Sequence, residues 1–124
     1  MKVIFFQVDG VLNFFDSEAR APSGRIGIAE ARVKELKKLV TESGARLVLT
    51  GAWGKEWDFN DALCTPDGIY LNKKLDRRGL HILDKTRDEL SIEKGCAEWI
   101  SRHPNVTESC IINNIEDEIK WTEW

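Results

Sequence analysis

Residues Val3–Leu12 read VIFFQVDGVL, an apolar run of strand-forming residues that ends in two polar side chains and a glycine. Such a run, bounded by a glycine turn, is typical of a buried central strand in a parallel sheet. In open α/β sheets, ligands bind just outside the carboxyl ends of the strands. We therefore expect Gln7 and Asp9 to lie at the mouth of a binding site.

Composition predicts one soluble domain that spans residues 1–124. Apolar residues make up 42% of the 124 and charged residues 31%, which is an ordinary globular profile. The net charge of −3 and the lack of a basic stripe give no reason to expect a nucleic-acid partner. No apolar run is long enough to span a membrane or has the form of a signal peptide. We expect a monomer or weak dimer.

The three cysteines indicate a cytoplasmic protein with free thiols. Their number is odd, and Cys64, Cys96 and Cys110 are widely spaced. The last two fall at apolar positions, which predicts small core residues. No cysteine or histidine pair has the spacing of a structural zinc site.

Periodicity after the first strand predicts a βαβ unit. Apolar residues recur every three or four positions over residues 28–43, Gly44 stops the helix, and residues 46–50 form a second buried strand. The crossover between the two strands is expected to be right-handed.

The rest of the chain predicts shorter elements. We expect a short helix over 55–63, a turn at 66–68, a loop or short helix over 69–78, strands at 79–83 and 109–112, and a helix over 92–102. Ser91 is the expected N-cap of that last helix, and Pro104 stops it. The tryptophan-rich tail, 116–124, fits a final helix, an edge strand or a dimer surface.

Polar or small residues follow the first, second and fourth predicted strands. They are Gln7, Asp9, Gly10, Thr50, Gly51, Ala52, Trp53, Asn113 and Asn114. Lys94 lies at the start of the helix that precedes the fourth strand. Because the carboxyl ends of parallel strands meet at one edge of a sheet, these residues are expected to form one site.

The order and spacing of these residues resemble the haloacid dehalogenase-like (HAD) hydrolases, a superfamily of magnesium-dependent phosphatases. The likeness is closest to small members without a cap domain, including the phosphatase-like domain associated with RNA-repair proteins. The first family motif is Asp-x-Asp-Gly-Val-Leu, and residues 7–12 read QVDGVL. Thr50 matches the second motif, Lys94 is the best candidate for the third, and Asn113-Asn114 stands where the fourth has paired acids.

The resemblance implies a fold and a set of roles. The fold is a three-layer, Rossmann-like α/β sandwich with a mostly parallel central sheet and no cap domain. In the family, the first aspartate attacks phosphorus and the second is the general acid and base. The Ser/Thr and the lysine hold phosphoryl oxygens, and acids of the first and fourth motifs bind Mg²⁺.

The chain departs from the family at these acids. Gln7 replaces the nucleophile, and an amide oxygen cannot form an acyl phosphate. Asn113 and Asn114 replace metal-binding acids and bring no charge to offset a dication. In addition, Gly51-Ala52 replaces a serine-rich turn and Gly54 an arginine. We predict no phosphatase activity and no metal or other cofactor.

Two explanations for this pattern differ in what the site does. In the first, a natural pseudoenzyme has lost catalysis and binds a small molecule or phosphate-like anion. Thr50, Lys94 and the N–H groups of the glycine turns then hold the anion, unless Lys94 simply extends into solvent.

In the second explanation, the pocket has been rebuilt by engineering. Asp9, walled by Phe14, Phe15 and Trp53, is then partly desolvated and acts as a general base on a small aromatic substrate stacked on Trp53. Lys94 as a nucleophile is a variant of this hypothesis. The competing interpretation of Trp53 is core packing at the end of the second strand.

Overall fold

The computed structural model describes residues 1–124 as five strands and three α-helices. In chain order these are β1 (Lys2–Phe6), α1 (Glu30–Ser43), β2 (Arg46–Leu49), α2 (Pro66–Asp76), β3 (Ile82–Lys85), α3 (Ile92–Ser101), β4 (Glu108–Ile112) and β5 (Thr122–Glu123). Two 3₁₀ turns, Ala52–Glu56 and Asp61–Leu63, lie between β2 and α2. None of the helices has both the length and the apolar character that crossing a membrane requires.

The strands form one sheet in the order β3-β2-β1-β4-β5. Strands β1 to β4 are parallel, and β5 pairs antiparallel with β4. Phe6 is in register with Leu49 of β2 and with Ile112 of β4, so three strands end at one level. The chain passes from β3 to the far side of β1, so the strand order reverses between β1 and β4. In open α/β sheets, ligands bind at such a reversal.

Alternate residues of β1 supply the two faces of the sheet, which is the period of a strand. Ile4 and Phe6 belong to the larger apolar core, which α1 and α2 cover with buried leucines and a valine. Val3 and Phe5 belong to the smaller core on the other face, under Cys96 and Trp99 of α3. The run VIFF is therefore buried on both faces, as its continuous apolar character predicts.

The main predicted elements are confirmed with end shifts of two residues or fewer. The helix predicted over 28–43 is Glu30–Ser43, the helix over 92–102 is Ile92–Ser101, and the strand over 109–112 is Glu108–Ile112. Ser91 caps α3 by accepting the Lys94 N–H at 3.3 Å. Of the alternatives for the tail, the structure shows an edge strand, β5.

Three predictions between β2 and α3 were wrong. Residues 66–68 are not a free turn but the first turn of α2, because Thr65 is its N-cap and Pro66 fits the first helical position. Residues 55–63 form no α-helix and lie mostly in the 3₁₀ turns. The strand predicted at 79–83 starts only at Ile82, because residues 79–80 close the end of α2. There Gly79 has φ +70°, and the Leu80 N–H donates to the Leu75 carbonyl.

Thiol labelling tests the core assignment of the cysteines, which the structure confirms as free thiols, two of them buried. Burial raises the pKa of Cys96 and of Cys110 to about 12. At pH 8 only about one in ten thousand of each is thiolate, the reactive form. We expect an aromatic disulfide reagent to label about one thiol, the half-buried Cys64, rapidly in the native chain and all three in denaturant. Rapid labelling of two or more native thiols would contradict this packing.

Candidate functional site

Two side-chain amides meet at the carboxyl ends of β1 and β4. Gln7 is the first residue after β1 and Asn113 the first after β4. The Gln7 Nε2 donates a hydrogen bond to Asn113 Oδ1 at 3.4 Å. The predicted convergence of these two strand ends is therefore present, and an amide pair occupies the place where the strand order reverses.

Asp9 is held by two donors from other parts of the chain. Its Oδ1 accepts from Asn13 Nδ2 at 2.9 Å and from Trp53 Nε1 at 3.4 Å. The Asn13 Oδ1 in turn accepts the Gly10 N–H at 3.0 Å. Sequence reasoning missed Asn13, which is 4% exposed and closes the turn after β1.

Gly10 and Asn114 shape the backbone around the amide pair. Gly10 has φ +85°, and a Cβ there would lie 3.0 Å from the Asn113 carbonyl oxygen, so the two connections approach closely. Asn114 is exposed and accepts the Glu116 N–H through its Oδ1 at 3.0 Å. Its observed role is to close the turn after β4.

A cleft of about 350 Å³ opens beside Gln7. Its lining consists of Gln7, Gly51, Ala52, Lys55, Arg87, Asp88, Leu90, Ser91 and Ile92. The cleft lies between the turn after β2 and the segment that enters α3. Gly51 has φ +85° and brings its backbone against Gln7, since a Cβ there would lie 3.2 Å from Gln7 Oε1.

Two cations and one acid line this cleft. Lys55 is exposed and forms no ion pair. Arg87 is paired with two acids outside the lining, through its Nε with Glu98 at 3.4 Å and through its Nη1 with Glu89 at 3.9 Å. Asp88 is the only carboxylate in the lining and is 3.5 Å from the Lys85 ammonium. Sequence reasoning missed Lys55 and Arg87 because neither directly follows a strand.

Lys85, at the end of β3, fixes the turn that forms one wall of the cleft. Its Nζ donates to the Gly54 carbonyl at 2.7 Å. A Cβ on residue 54 would lie 2.5 Å from Asp88 Oδ1, so a larger residue there would push the Asp88 side chain aside. Gly54 therefore leaves room for the Asp88 carboxylate beside the turn.

Comparison with protein families shows which family the chain belongs to. A family model described as the HAD domain in Swiss Army Knife RNA repair proteins matches residues 3–124. The chain belongs to this family. The sheet order and the polar strand ends of this HAD domain agree with the α/β, Rossmann-like fold that the sequence predicted. Comparisons with curated proteins and with solved structures give no match.

Two of the predicted ligand-binding residues of this HAD domain are buried and do not line the cleft. Thr50 is 2% exposed, and its Oγ1 accepts a hydrogen bond from the Thr86 hydroxyl at 3.0 Å. Trp53 is 1% exposed and belongs to the larger core. Neither side chain lines the cleft: Thr50 joins β2 to the end of β3, and Trp53 packs the core, which was the competing interpretation.

Lys94 is also separate from the cleft in this HAD domain. It is exposed on the first turn of α3, its ammonium makes no hydrogen bond or ion pair, and it does not line the cleft. Lys94 therefore extends into solvent, which was the alternative to its predicted role in holding an anion. Lys55 is the lysine that lines the cleft.

The predicted aromatic wall around Asp9 is wrong. Asp9 is exposed rather than desolvated, and Phe15 is 95% exposed. The Phe14 ring lies against the Arg32 guanidinium, with 4.0 Å from the guanidinium carbon to the ring centroid. With Trp53 in the core, no aromatic face is presented beside the Asp9 carboxylate.

The Mg²⁺ that the superfamily resemblance implies does not fit this donor set. Asp9 is the only carboxylate at the ends of β1 and β4, and its Oδ1 already accepts two hydrogen bonds. The neighbouring amides of Gln7 and Asn113 bind each other and carry no charge. A small, strongly hydrated dication favours carboxylates, and no cluster of three acidic or other metal-binding side chains exists in the structure.

Proposed function

We propose that this HAD domain is a pseudoenzyme that binds a phosphate-bearing small molecule without a metal and without hydrolysing it. The observation that supports this most directly is the cleft beside Gln7, whose lining has two cations, Lys55 and Arg87, and one acid, Asp88. Asp88 is paired with Lys85 and Arg87 with acids outside the lining, so Lys55 is the cation that an anion meets unpaired. A cleft with a surplus of cations favours an anion.

The cleft offers contacts to an anion, and the residue at the family's nucleophile position, Gln7, is an amide. Lys55 and Arg87 offer charge-assisted hydrogen bonds to phosphate oxygens. Gly51 brings backbone close to Gln7, so a ligand can approach without a side chain between. The amide of Gln7 cannot form an acyl phosphate. With amides at 7, 113 and 114, an anion meets less negative charge than it would beside three carboxylates.

The size of the cleft and the family description indicate which molecules to test first. About 350 Å³ is at the small end of ligand pockets, enough for a phosphate ester with a modest substituent. Because the matching family is described from RNA repair proteins, a nucleoside monophosphate is the first organic candidate. The net charge of −3 does not favour a long polyanion.

The engineered general-base site receives little support from the geometry. Its two requirements were a desolvated Asp9 and an aromatic surface for the substrate. Asp9 is exposed and Trp53 is in the core. We therefore favour a natural, capless pseudoenzyme, and both its origin and its lack of a cap domain stay predictions.

Phosphate titration monitored by thermal unfolding tests the binding proposal. We expect orthophosphate to raise the melting temperature, with a gain of about 1.4 kcal/mol at ten times the dissociation constant. Lys55→Met is expected to abolish most of this shift, since it removes the unpaired ammonium of the cleft. Lys94→Met is the matched control: it removes another exposed lysine and leaves the shift unchanged. Equal shifts in both variants, or no shift at millimolar phosphate in the parent, would refute the proposal.

A phosphatase assay tests the absence of hydrolysis separately. With an aryl phosphate and excess Mg²⁺, the parent chain and Gln7→Ala are expected to give the same background rate. Metal-dependent turnover in the parent that Gln7→Ala removes would contradict the pseudoenzyme assignment.

A further inference from the structure

Arg32 on the first turn of α1 is buried without adequate partners. It is 5% exposed, and its Nε and Nη1 have no hydrogen-bond partner. Its one polar contact is between Nη2 and Glu116 Oε1 at 3.4 Å. The ring of Phe14 covers one face of the guanidinium.

This arrangement is costly for the stability of the fold. A buried guanidinium loses its hydration, and only good hydrogen bonds and close counter-charges compensate. The Glu116 side chain is 73% exposed, so solvent weakens its attraction for Arg32. Replacing a poorly paired buried ion by an apolar side chain is often neutral or stabilising. Packing alone therefore gives no reason for an arginine at this position.

The partners of Arg32 lie on the two connections that carry the amide pair, Gln7 and Asn113, and Gln7 lines the cleft. Phe14 belongs to the connection after β1, directly after Asn13, which holds Asp9. Glu116 belongs to the connection after β4, and its N–H is bound by Asn114. Arg32 thus contacts both connections from α1. No metal-binding cluster is present to join them, as the Mg²⁺ of an active member would.

We propose that Phe14, Arg32 and Glu116 form a clasp that fixes these two connections relative to each other. Arg32 is then a positioning residue for the ligand site. It does not bind the ligand itself, because its Nε and Nη1 are buried and it does not line the cleft. The effect of the clasp on ligand affinity rests on the proposed function, whereas its effect on the connections does not.

Amide hydrogen exchange of the free protein measures the clasp directly. In Arg32→Met we expect about tenfold faster exchange of the Glu116 and Asp117 amides, which hydrogen-bond within the turn after β4. The melting temperature is expected to stay the same or rise, since an unpaired buried charge is removed. Arg46→Met is the matched control, because Arg46 is exposed and makes no side-chain hydrogen bond or ion pair. It should change neither quantity.

A purely structural arginine gives a different result. It lowers the melting temperature and accelerates the sheet amides as well, including the Thr50 amide bonded to the Phe6 carbonyl. That outcome, or unchanged exchange after β4, would overturn the clasp. If Arg32→Met does not fold, Glu116→Gln tests the same contact from an exposed position and should also accelerate the Glu116 and Asp117 amides.

Phosphate titration then separates the two proposals. If the parent binds phosphate, Arg32→Met is expected to weaken binding at least about threefold without touching the ligand. Unchanged affinity would overturn the positioning role. If the parent binds no phosphate, the proposed function fails, and the exchange experiment still decides whether the clasp exists.

Discussion

The triple variant Gln7→Asp/Asn113→Asp/Asn114→Asp is expected to bind Mg²⁺ at least about a hundredfold more tightly than the parent chain. The three changes add carboxylates around Asp9 at the ends of β1 and β4. A unit charge near 4 Å contributes from about 1 kcal/mol in water to about 4 kcal/mol at a protein surface. Isothermal titration with MgCl₂ measures the affinity directly.

Without metal, the same variant is expected to be less stable than the parent. The hydrogen bond from Gln7 to Asn113, 3.4 Å long, is replaced by two carboxylates that repel each other. Mg²⁺ should therefore raise its melting temperature and leave that of the parent unchanged. Gln7→Asn/Asn113→Asp/Asn114→Asp is the control with one charge fewer at position 7 and an intermediate response. Equal Mg²⁺ affinity in parent and triple variant would show that the amides at positions 7, 113 and 114 do not explain the poor fit of the metal.

The fold was largely predictable because the central strand of the sheet has a recognisable pattern of apolar residues along the sequence. A strand buried on both faces must be apolar throughout, so Val3–Phe6 identifies the middle of the sheet. The region between β2 and α3 was predicted poorly for a physical reason. Proline, aspartate and glycine favour both turns and helix starts. Only the capping hydrogen bond of Thr65 selects the helix start.

The residues of the candidate site that directly follow strands were predictable. Those that are positioned by turns were not. Gln7 and Asn113 converge because the register of parallel strands fixes their level. After β2, the positive φ of Gly51 turns the chain into a 3₁₀ turn that buries Trp53 and presents Lys55 outward. One glycine dihedral thus decides which residues line the cleft, and no periodic sequence pattern predicts that dihedral.

Contacts between distant connections were also beyond sequence reasoning. Arg32 lies on a helix face whose periodicity predicts a core position, yet it is charged. Its partners, Phe14 and Glu116, are 18 and 84 residues away along the chain. Such a mismatch between a residue type and its predicted environment is the signal that was available, since local rules fail most often at functional or strained positions.

Gly68→Ala is expected to lower the free energy of unfolding by about 3 kcal/mol or more. Residue 68 lies in the first turn of α2, where a Cβ would overlap the Glu56 carbonyl oxygen and lie 2.8 Å from its carbon. Glu56 ends the 3₁₀ turn after β2, and its carbonyl accepts the Thr65 N–H at 3.0 Å. Backbone cannot rotate away as a side chain can, so α2 or the turn must shift. Urea unfolding followed by tryptophan fluorescence measures the loss.

The sign of this effect separates packing from helix propensity. In a helix with free space, glycine to alanine stabilises by about 1 kcal/mol. Gly24→Ala is the control for a conformational cost alone: nothing lies within 4 Å of the added Cβ, but φ is +95°. Its expected loss is about 1 kcal/mol, the cost of left-handed backbone. If Gly68→Ala is no less stable than Gly24→Ala, then α2 does not pack tightly on the turn that carries Trp53 and Lys55. The cleft wall would then have to be held by the hydrogen bond from Lys85 to the Gly54 carbonyl instead.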